Sequence, residues 1–299
     1  MIQDITPNNV VVIYHDPCND GFCSAFLLWL EYPQAKFIPV NHSPQCEPPY
    51  NDLKDMDVII VDYSYPIDEL LAIVKIAKSL TVLDHHKTAS HIQKLIDDKI
   101  IKGRFDVNSS GAGLTLDWLL NQGFESYPWM HELVAYVQDA DLWNWVLPNS
   151  LEFHLALSSY KKTFQTWHHM PRTVEIISLG SKINQYREKL IVEHVNNATI
   201  ARLVMGKFST RDDWNSDYFW DVPFVVCSVR EIVSELGHRL AKDNPFAVVL
   251  FPEENGIKYS LRSVDGGLDV SVIAKSYGGG GHKYAAGFYV DGSICKGLF

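Results

Sequence analysis

Short apolar runs rich in β-branched residues recur along the first part of the chain, and each stops at an acidic or imidazole side chain. Residues 10–14 end at His15, 58–61 at Asp62, and 79–83 at Asp84-His85-His86. Runs of this length bounded by polar residues read as strands. Residues 20–31 place Phe22, Ala25, Phe26, Leu27, Trp29 and Leu30 on a mostly buried helix that Pro33 ends, and 67–78 carries a helical period. A further short strand is expected at 36–40, followed by a polar, Pro-rich loop over 41–55. This alternation predicts an α/β fold with a mostly parallel sheet whose carboxyl ends converge on one crevice.

Further along, Ser109-Ser110-Gly111 precedes a helix to Leu120, so Ser110 is open to two readings, a cap or a phosphate contact. A helix-like stretch over 131–137 leads to Asp139-Ala140-Asp141 and then to Trp143 and Trp145, which suit either stacking on a flat ring or packing between helices. Residues 149–171 mix helical and loop signals. Residues 173–199 form a long, half-charged helical pattern of the kind that connects domains. The expected division is therefore 1–200 and 201–299, with a cleft between the two parts. The second part reads as a smaller α/β unit, with strands at 224–229, 247–251 and 258–264 and a helix at 231–241. It also holds Gly278-Gly279-Gly280-Gly281-His282, where four glycines require a tight turn or exposed amides suited to an anion.

At 299 residues the chain has room for two cores. Its formal net charge of −10 argues against a protein that coats long duplexes through Lys and Arg. A short anionic substrate held through divalent cations remains compatible, because such ions reverse the local field. The five cysteines (Cys18, Cys23, Cys46, Cys227, Cys295) form no close pair, which supports neither a disulfide framework nor a structural zinc site. Residues 1–9 lack the features of a signal peptide and no apolar run is long enough to span a bilayer. A reducing, cytoplasmic setting without membrane contact is expected.

An Asp and two adjacent His at a strand end are a poor core pattern, since all three need polar partners when buried. Together with the acids that end the other strands, they suit a hard cation bound by oxygen and imidazole.

Taken in order, His15 to Gly21, Val61-Asp62, Asp84-His85-His86, Asp139 and the terminal Gly-Gly-Gly-His resemble the DHH phosphoesterase superfamily with its C-terminal associated domain, over nearly the whole chain. The resemblance implies two lobes around a cleft and usually two Mn²⁺ ions, with Mg²⁺ or Co²⁺ as substitutes. It implies that His15 and an acid of the first motif hold one ion, that Asp20, His85 and Asp139 hold the other, and that Asp62 bridges them. His86 would touch the scissile phosphate and Asp84 would orient a neighbouring His. Gly279, Gly280, Gly281 and His282 would hold a terminal phosphate or a ribose, and Arg262 is a candidate clamp for a phosphate.

The first motif departs from the frequent Asp-x-Asp-Gly, because Cys18 stands where the first acid would be. Either Asp16 or Cys18 supplies the missing ligand, or the first ion is weakly held; since thiolates suit softer metals than Mn²⁺, Asp16 is the favoured choice of the two. The implied activity is metal-dependent 3'-5' hydrolysis of short single-stranded RNA or linear dinucleotides. The alternatives are a cyclic mono- or dinucleotide phosphodiesterase, a 3',5'-bisphosphate nucleotide phosphatase and a nucleotide-binding regulator without hydrolysis. A homodimer and a monomer are both open.

Overall fold

The computed structural model describes residues 9–41, 46–204 and 219–292. Cys295 and part of the loop expected over 41–55 lie outside them. Contacts divide the chain into two units, Met1–Asn184 and Gln185–Phe299.

In the first unit, five strands form one sheet: β1 (Val10–His15), β2 (Lys36–Val40), β3 (Asp57–Val61), β4 (Ser79–Asp84) and β5 (Lys102–Phe105). All neighbours are parallel, in the order β2-β1-β3-β4-β5. Every residue of β3 and all but the last of β1 are buried, which is the reason residues 10–14 and 58–61 are continuously apolar rather than alternating, while the buried Asp57 that opens β3 is paired with Lys78. The side-chain period of two still sorts them between two cores. Val10, Val12, Tyr14, Ile59, Val61 and Leu83 face one core, and Val11, Ile13, Val58, Ile60, Leu80 and Val82 face the other.

Helix α1 (Asn19–Glu31) brings Phe22, Phe26 and Leu27 to the first of these cores. On the opposite face, the short α2 (Tyr50–Leu53), α3 (Ile67–Ile76) and α4 (His91–Asp97) contribute Leu53, Leu70, Ile73, Ile92 and Leu95. The remaining helices of the unit are α5 (Gly111–Asn121), α6 (Pro128–Asp141), α7 (Ser150–Ser159) and α8 (Phe164–His168). They add Leu114, Leu133, Phe153 and Trp167 to the core beside α1. The chain order reverses between β1 and β3, where an open parallel sheet leaves a crevice beyond its carboxyl ends.

Helix α9 (Thr173–Asn196) runs across the division between the units, with Ile176 in a core of the first and Ile191 in a core of the second. It ends three residues before the expected 199, and Thr199 begins a strand instead.

The second unit is a six-stranded mixed sheet: β6 (Thr199–Val204), β7 (Phe219–Val226), β8 (Ala247–Glu253), β9 (Gly256–Arg262), β10 (Gly280–His282) and β11 (Ala285–Asp291). Its order is β10-β11-β9-β8-β7-β6, with only β7 and β8 parallel. Helix α10 (Val233–Ala241) packs Leu236 and Leu240 with Ala247 and Val249. Helix α11 (Val270–Ser276) packs Val270 and Ile273 with Val248, Leu261 and Phe288, which alternate with the first set and so occupy the other face. The glycine run turns at Gly278, φ +79°, and then continues as the edge strand β10. Among the described residues, no helix is long and apolar enough to cross a membrane.

Candidate metal centre

The strand ends at the reversal point bring His15 from β1, Asp62 after β3 and His85 and His86 after β4 to one place. His15 Nδ1 is 3.2 Å from Asp62 Oδ2, and His85 Nε2 is 3.1 Å from Asp62 Oδ1. His86 Nδ1 lies 3.8 Å from the same Oδ1. Asp62 thus has one carboxylate oxygen toward His15 and the other toward the His85-His86 pair. Its backbone has φ +54°, a left-handed conformation that non-glycine residues seldom adopt and that Asp tolerates better than most. Its amide donates to Leu83 O at 2.9 Å, so the neighbouring strand holds that conformation in place.

Asp20 enters from the first turn of α1 and is 1% exposed. The first two amides of α5 hold it: Gly111 N donates to Oδ2 at 2.5 Å and Ala112 N to Oδ1 at 2.9 Å. A helix N-terminus favours a carboxylate in this position. Position 111 must be glycine for that approach, since a Cβ there would stand 2.6 Å from Asp62 Cβ and 2.9 Å from Asp20 Oδ2. Ser110 is the cap of α5: it is fully buried, its Oγ accepts from Gly113 N at 3.2 Å, and its amide donates to Gln138 Oε1 at 2.9 Å. The hydroxyl open to a phosphate contact in the sequence is committed to the helix start, and the amides beside it are taken by Asp20.

Two expected ligands are placed elsewhere. Asp139 lies at the end of α6, where its carboxylate accepts from Val146 N at 3.1 Å and Leu147 N at 3.2 Å and closes the loop that follows. Burial would raise its pKa, but hydrogen bonding from Ser150 and those two amides holds it below the usual carboxylate range. Asp141 takes the place expected for it, with Oδ2 3.5 Å from His85 Nε2. Positions 139 and 141 are about 200° apart around a helix, so only one of them can face the sheet edge. Asp141 continues the stripe of Val134 and Val137, a signal that helical spacing carried in the sequence.

Asp16 is the second correction. It follows His15 directly on an extended segment, where neighbouring side chains point to opposite sides. Its amide extends the ladder to Val40 O at 2.8 Å, and its carboxylate joins none of the converging groups. Cys18 joins them instead, with Sγ 3.3 Å from His15 Nδ1 and 3.0 Å from Asp62 Oδ2.

Three overlapping donor groups result: His15, Cys18 and Asp62; Asp62, His85 and His86; and Asp20, His85 and Asp141, each with its atoms within 4.8 Å of one another. Asp62 and His85 each belong to two of them. The electrostatics are those of a site built for cations. Burial and the charges of Asp62 and Asp141 push the Asp20 carboxyl well up, and burial and Asp62 raise Asp141. Burial would raise Asp62 too, but hydrogen bonds from His15 and His85 hold it far below the usual range. His85 is raised to about 9, because its bond to Asp62 and the surrounding carboxylates outweigh its burial. Closely set buried carboxylates whose mutual repulsion raises two of them fit divalent ions, whose charge would offset that repulsion.

Asp84 stands behind the centre and is 1% exposed. Its Oδ1 accepts from the amides of His85 and His86, at 2.7 and 3.1 Å, and is 2.8 Å from His86 Nδ1. This fixes the orientation of the His86 ring through Nδ1. A cavity of about 480 Å³ opens beside His86, lined in part by Ser64, Asp84, Thr88 and His91. Trp143 and Trp145, just after Asp141, both have left-handed backbones (φ +59° and +55°), and Trp143 is 76% exposed.

In the second unit, His282 pairs with Ala285, and Ala285 pairs with Arg262. The three stand in one row across β10, β11 and β9, so their side chains share a sheet face. Gly280, Gly287 and Ser260 form the next row on that face, leaving a floor of small residues between the guanidinium and the imidazole. Arg262 donates to Ser260 Oγ at 3.1 Å and Leu261 O at 2.9 Å and has no ion pair among the described residues. Its burial lowers its pKa, since no carboxylate supports the charge. Gly281 has φ +141°, and a Cβ there would stand 2.5 Å from Ala286 Cα. Gly279 is equally confined, against the Gly287 carbonyl.

A DHHA1 domain is matched over residues 226–295, within this second unit. Uncharacterized protein R106 of Acanthamoeba polyphaga mimivirus is 30% identical over 308 aligned positions, covering 94% of this chain and 68% of that protein. Oligoribonuclease NrnB of Bacillus subtilis is 25% identical over 229 positions, covering 71% of this chain and 53% of NrnB, so the chain spans about half the length of that relative. Among solved structures, PggH of Vibrio cholerae, a pGpG-specific phosphodiesterase, superposes with a TM-score of 0.52 at 12% identity over 97% of this chain and 95% of that one. Sequence kinship, the associated domain and a metal-competent cluster around Asp84-His85-His86 agree, and the chain belongs to the DHH superfamily of metal-dependent phosphoesterases, as a relative of the NrnB oligoribonuclease.

Proposed function

We propose that this protein hydrolyses short single-stranded oligoribonucleotides and linear dinucleotides in the 3'-5' direction, using two Mn²⁺ ions that Mg²⁺ or Co²⁺ can replace. The observation that carries this reading is the convergence of Asp20, Asp62 and Asp141 with His15 and His85 beyond the carboxyl ends of β1, β3 and β4. NrnB, an oligoribonuclease by name, supports the choice of substrate. Divalent ions held there would supply an activated water and offset charge on the phosphate oxygens.

The protein's own groups divide the remaining work. Asp62 faces both halves of the centre and acts as the shared carboxylate. The α5 amides keep Asp20 in place. His86, oriented by Asp84, donates from Nε2 to a non-bridging oxygen, where charge grows as the bond to the leaving group breaks. The cavity beside His86 has the volume for a small polar ligand and receives part of a nucleotide. In the second unit, Arg262 and His282 bind a terminal phosphate over the floor formed by Gly280 and Gly287, with Gly279 and Gly281 shaping the strand beside it. A guanidinium without an acidic partner supports that role. A cytoplasmic location belongs to the same reading, and sedimentation of the purified chain distinguishes a monomer from a homodimer.

The test is a product time course with Mn²⁺. End-labelled RNA, from dimers to long oligomers, is offered beside cyclic nucleotides, linear and cyclic dinucleotides and adenosine 3',5'-bisphosphate. Preference for dimers to pentamers is expected. Release of phosphate from the bisphosphate alone, or opening of a cyclic dinucleotide alone, would replace the proposed substrate. Nucleotide binding without two ions and without product would make the protein a regulator.

A further inference from the structure

The three donor groups differ in chemistry. Asp20, His85 and Asp141 offer only oxygen and nitrogen, as do Asp62, His85 and His86, whereas the His15 and Asp62 end includes a thiol. Cys18 Sγ stands 3.0 Å from Asp62 Oδ2 and 3.3 Å from His15 Nδ1. That spacing allows one ion to lie about 2.3 Å from sulfur and about 2.0–2.1 Å from the other two donors, replacing the contacts among them. The thiol also caps α1, where Gly21 N donates to it at 3.0 Å, so its position beside Asp62 and His15 is fixed by the helix start. No competing oxygen ligand comes from Asp16, whose carboxylate is outside all three groups.

We propose that Cys18 Sγ is a metal ligand, so that the two ends of the centre select different ions. The Cys18, His15 and Asp62 end accepts Mn²⁺ but prefers a borderline ion of the Zn²⁺, Fe²⁺ or Co²⁺ kind, and the Asp20, His85 and Asp141 end prefers a harder one such as Mn²⁺. As the metal–sulfur bond forms, the S–H bond breaks and its proton passes to solvent. The inference rests on the metal centre and on no particular substrate, so it stands or falls separately from the choice of RNA.

The experiment titrates metal-stripped full-length protein with Co²⁺ and follows the near-ultraviolet sulfur-to-cobalt charge-transfer absorption. The wild type is expected to develop that band, and Cys46→Ser, which removes a thiol in the other core of the first unit, keeps it. Cys18→Ser and Cys18→Asp are expected to lose it. In equilibrium dialysis against equal Zn²⁺ and Mn²⁺, the Zn²⁺ preference of the wild type at this end should fall by on the order of tenfold in Cys18→Asp. Cobalt binding by the wild type without the band would overturn the inference, as would an unchanged Zn²⁺ to Mn²⁺ ratio in Cys18→Asp. If the Cys18 variants fail to fold, the wild type still tests the inference, since cobalt binding without the band overturns it, and a band kept when Cys23, Cys46, Cys227 and Cys295 are each replaced by Ser supports it.

Discussion

The two units carry opposite imbalances of charge. In the first, Asp20, Asp62 and Asp141 crowd together with imidazoles, and two of those carboxyls are driven toward protonation. In the second, Arg262 is partly buried with only hydroxyl and carbonyl oxygens for company. A buried charge without its complement is costly, so each imbalance identifies the ligand that would relieve it. Cations relieve the first and a phosphate relieves the second. Elsewhere the same residue types are paired: Arg202 forks onto Asp221, and Arg239 binds Glu188 and Glu235.

The strongest challenge to this comparison is Asp62→Asn. It is expected to release both ions and lower turnover by about 10³-fold or more, the order of several kcal/mol of transition-state stabilisation. Metal analysis beside steady-state rates checks it, and a variant that keeps two ions at near-normal turnover would show that the acids are not a shared centre. Next comes the contrast between two neighbours on α6. Asp141→Asn should weaken metal affinity by about 10- to 100-fold. Asp139→Asn should instead lower stability by about 1–3 kcal/mol through the loop amides it holds and leave the metal content unchanged. Calorimetric metal titration and denaturant unfolding separate the two, and weaker metal binding in Asp139→Asn would reverse the assignment.

For the second unit, Arg262→Ala should raise KM about tenfold or more for a 5'-phosphorylated dinucleotide without altering metal content. An unchanged KM would remove the anion site from the comparison. The smallest effect is expected at Ser110→Ala. Loss of the cap should cost about 1 kcal/mol of stability with KM unaffected, whereas a raised KM would return that hydroxyl to the substrate.

Much of the site was readable before any coordinates, because strands of a parallel sheet end together and the acids and imidazoles that end them must meet. His15, Asp62, His85 and His86 followed from that rule. Asp139 did not, because an Asp-x-Asp pair offers two equal carboxylates until the helical phase is traced from Val134 through Val137 to Asp141. The expectation at Asp16 rested on metal softness, whereas Cys18, as the cap of α1, is the residue that reaches His15 and Asp62. In the second unit, the local pattern puts Thr199 at the end of a helix and signals no strand over 200–204. The pairing of β6 with β7, from Thr199 with Phe224 to Val204 with Phe219, is a long-range contact that local preference does not encode.

The sequence alone determined the alternation of buried strands and helices, the ends at which polar groups gather, and the glycine run near the C-terminus, since all of these arise from local spacing and backbone freedom. Tertiary structure alone decided which of two nearby acids turns inward, that a helix terminus takes Asp20 instead of an external anion, and that Arg262 and His282 stand in one row. Those outcomes depend on segments far apart in the chain reaching the same few ångströms, where burial and neighbouring charge choose among side chains that composition treats as alike.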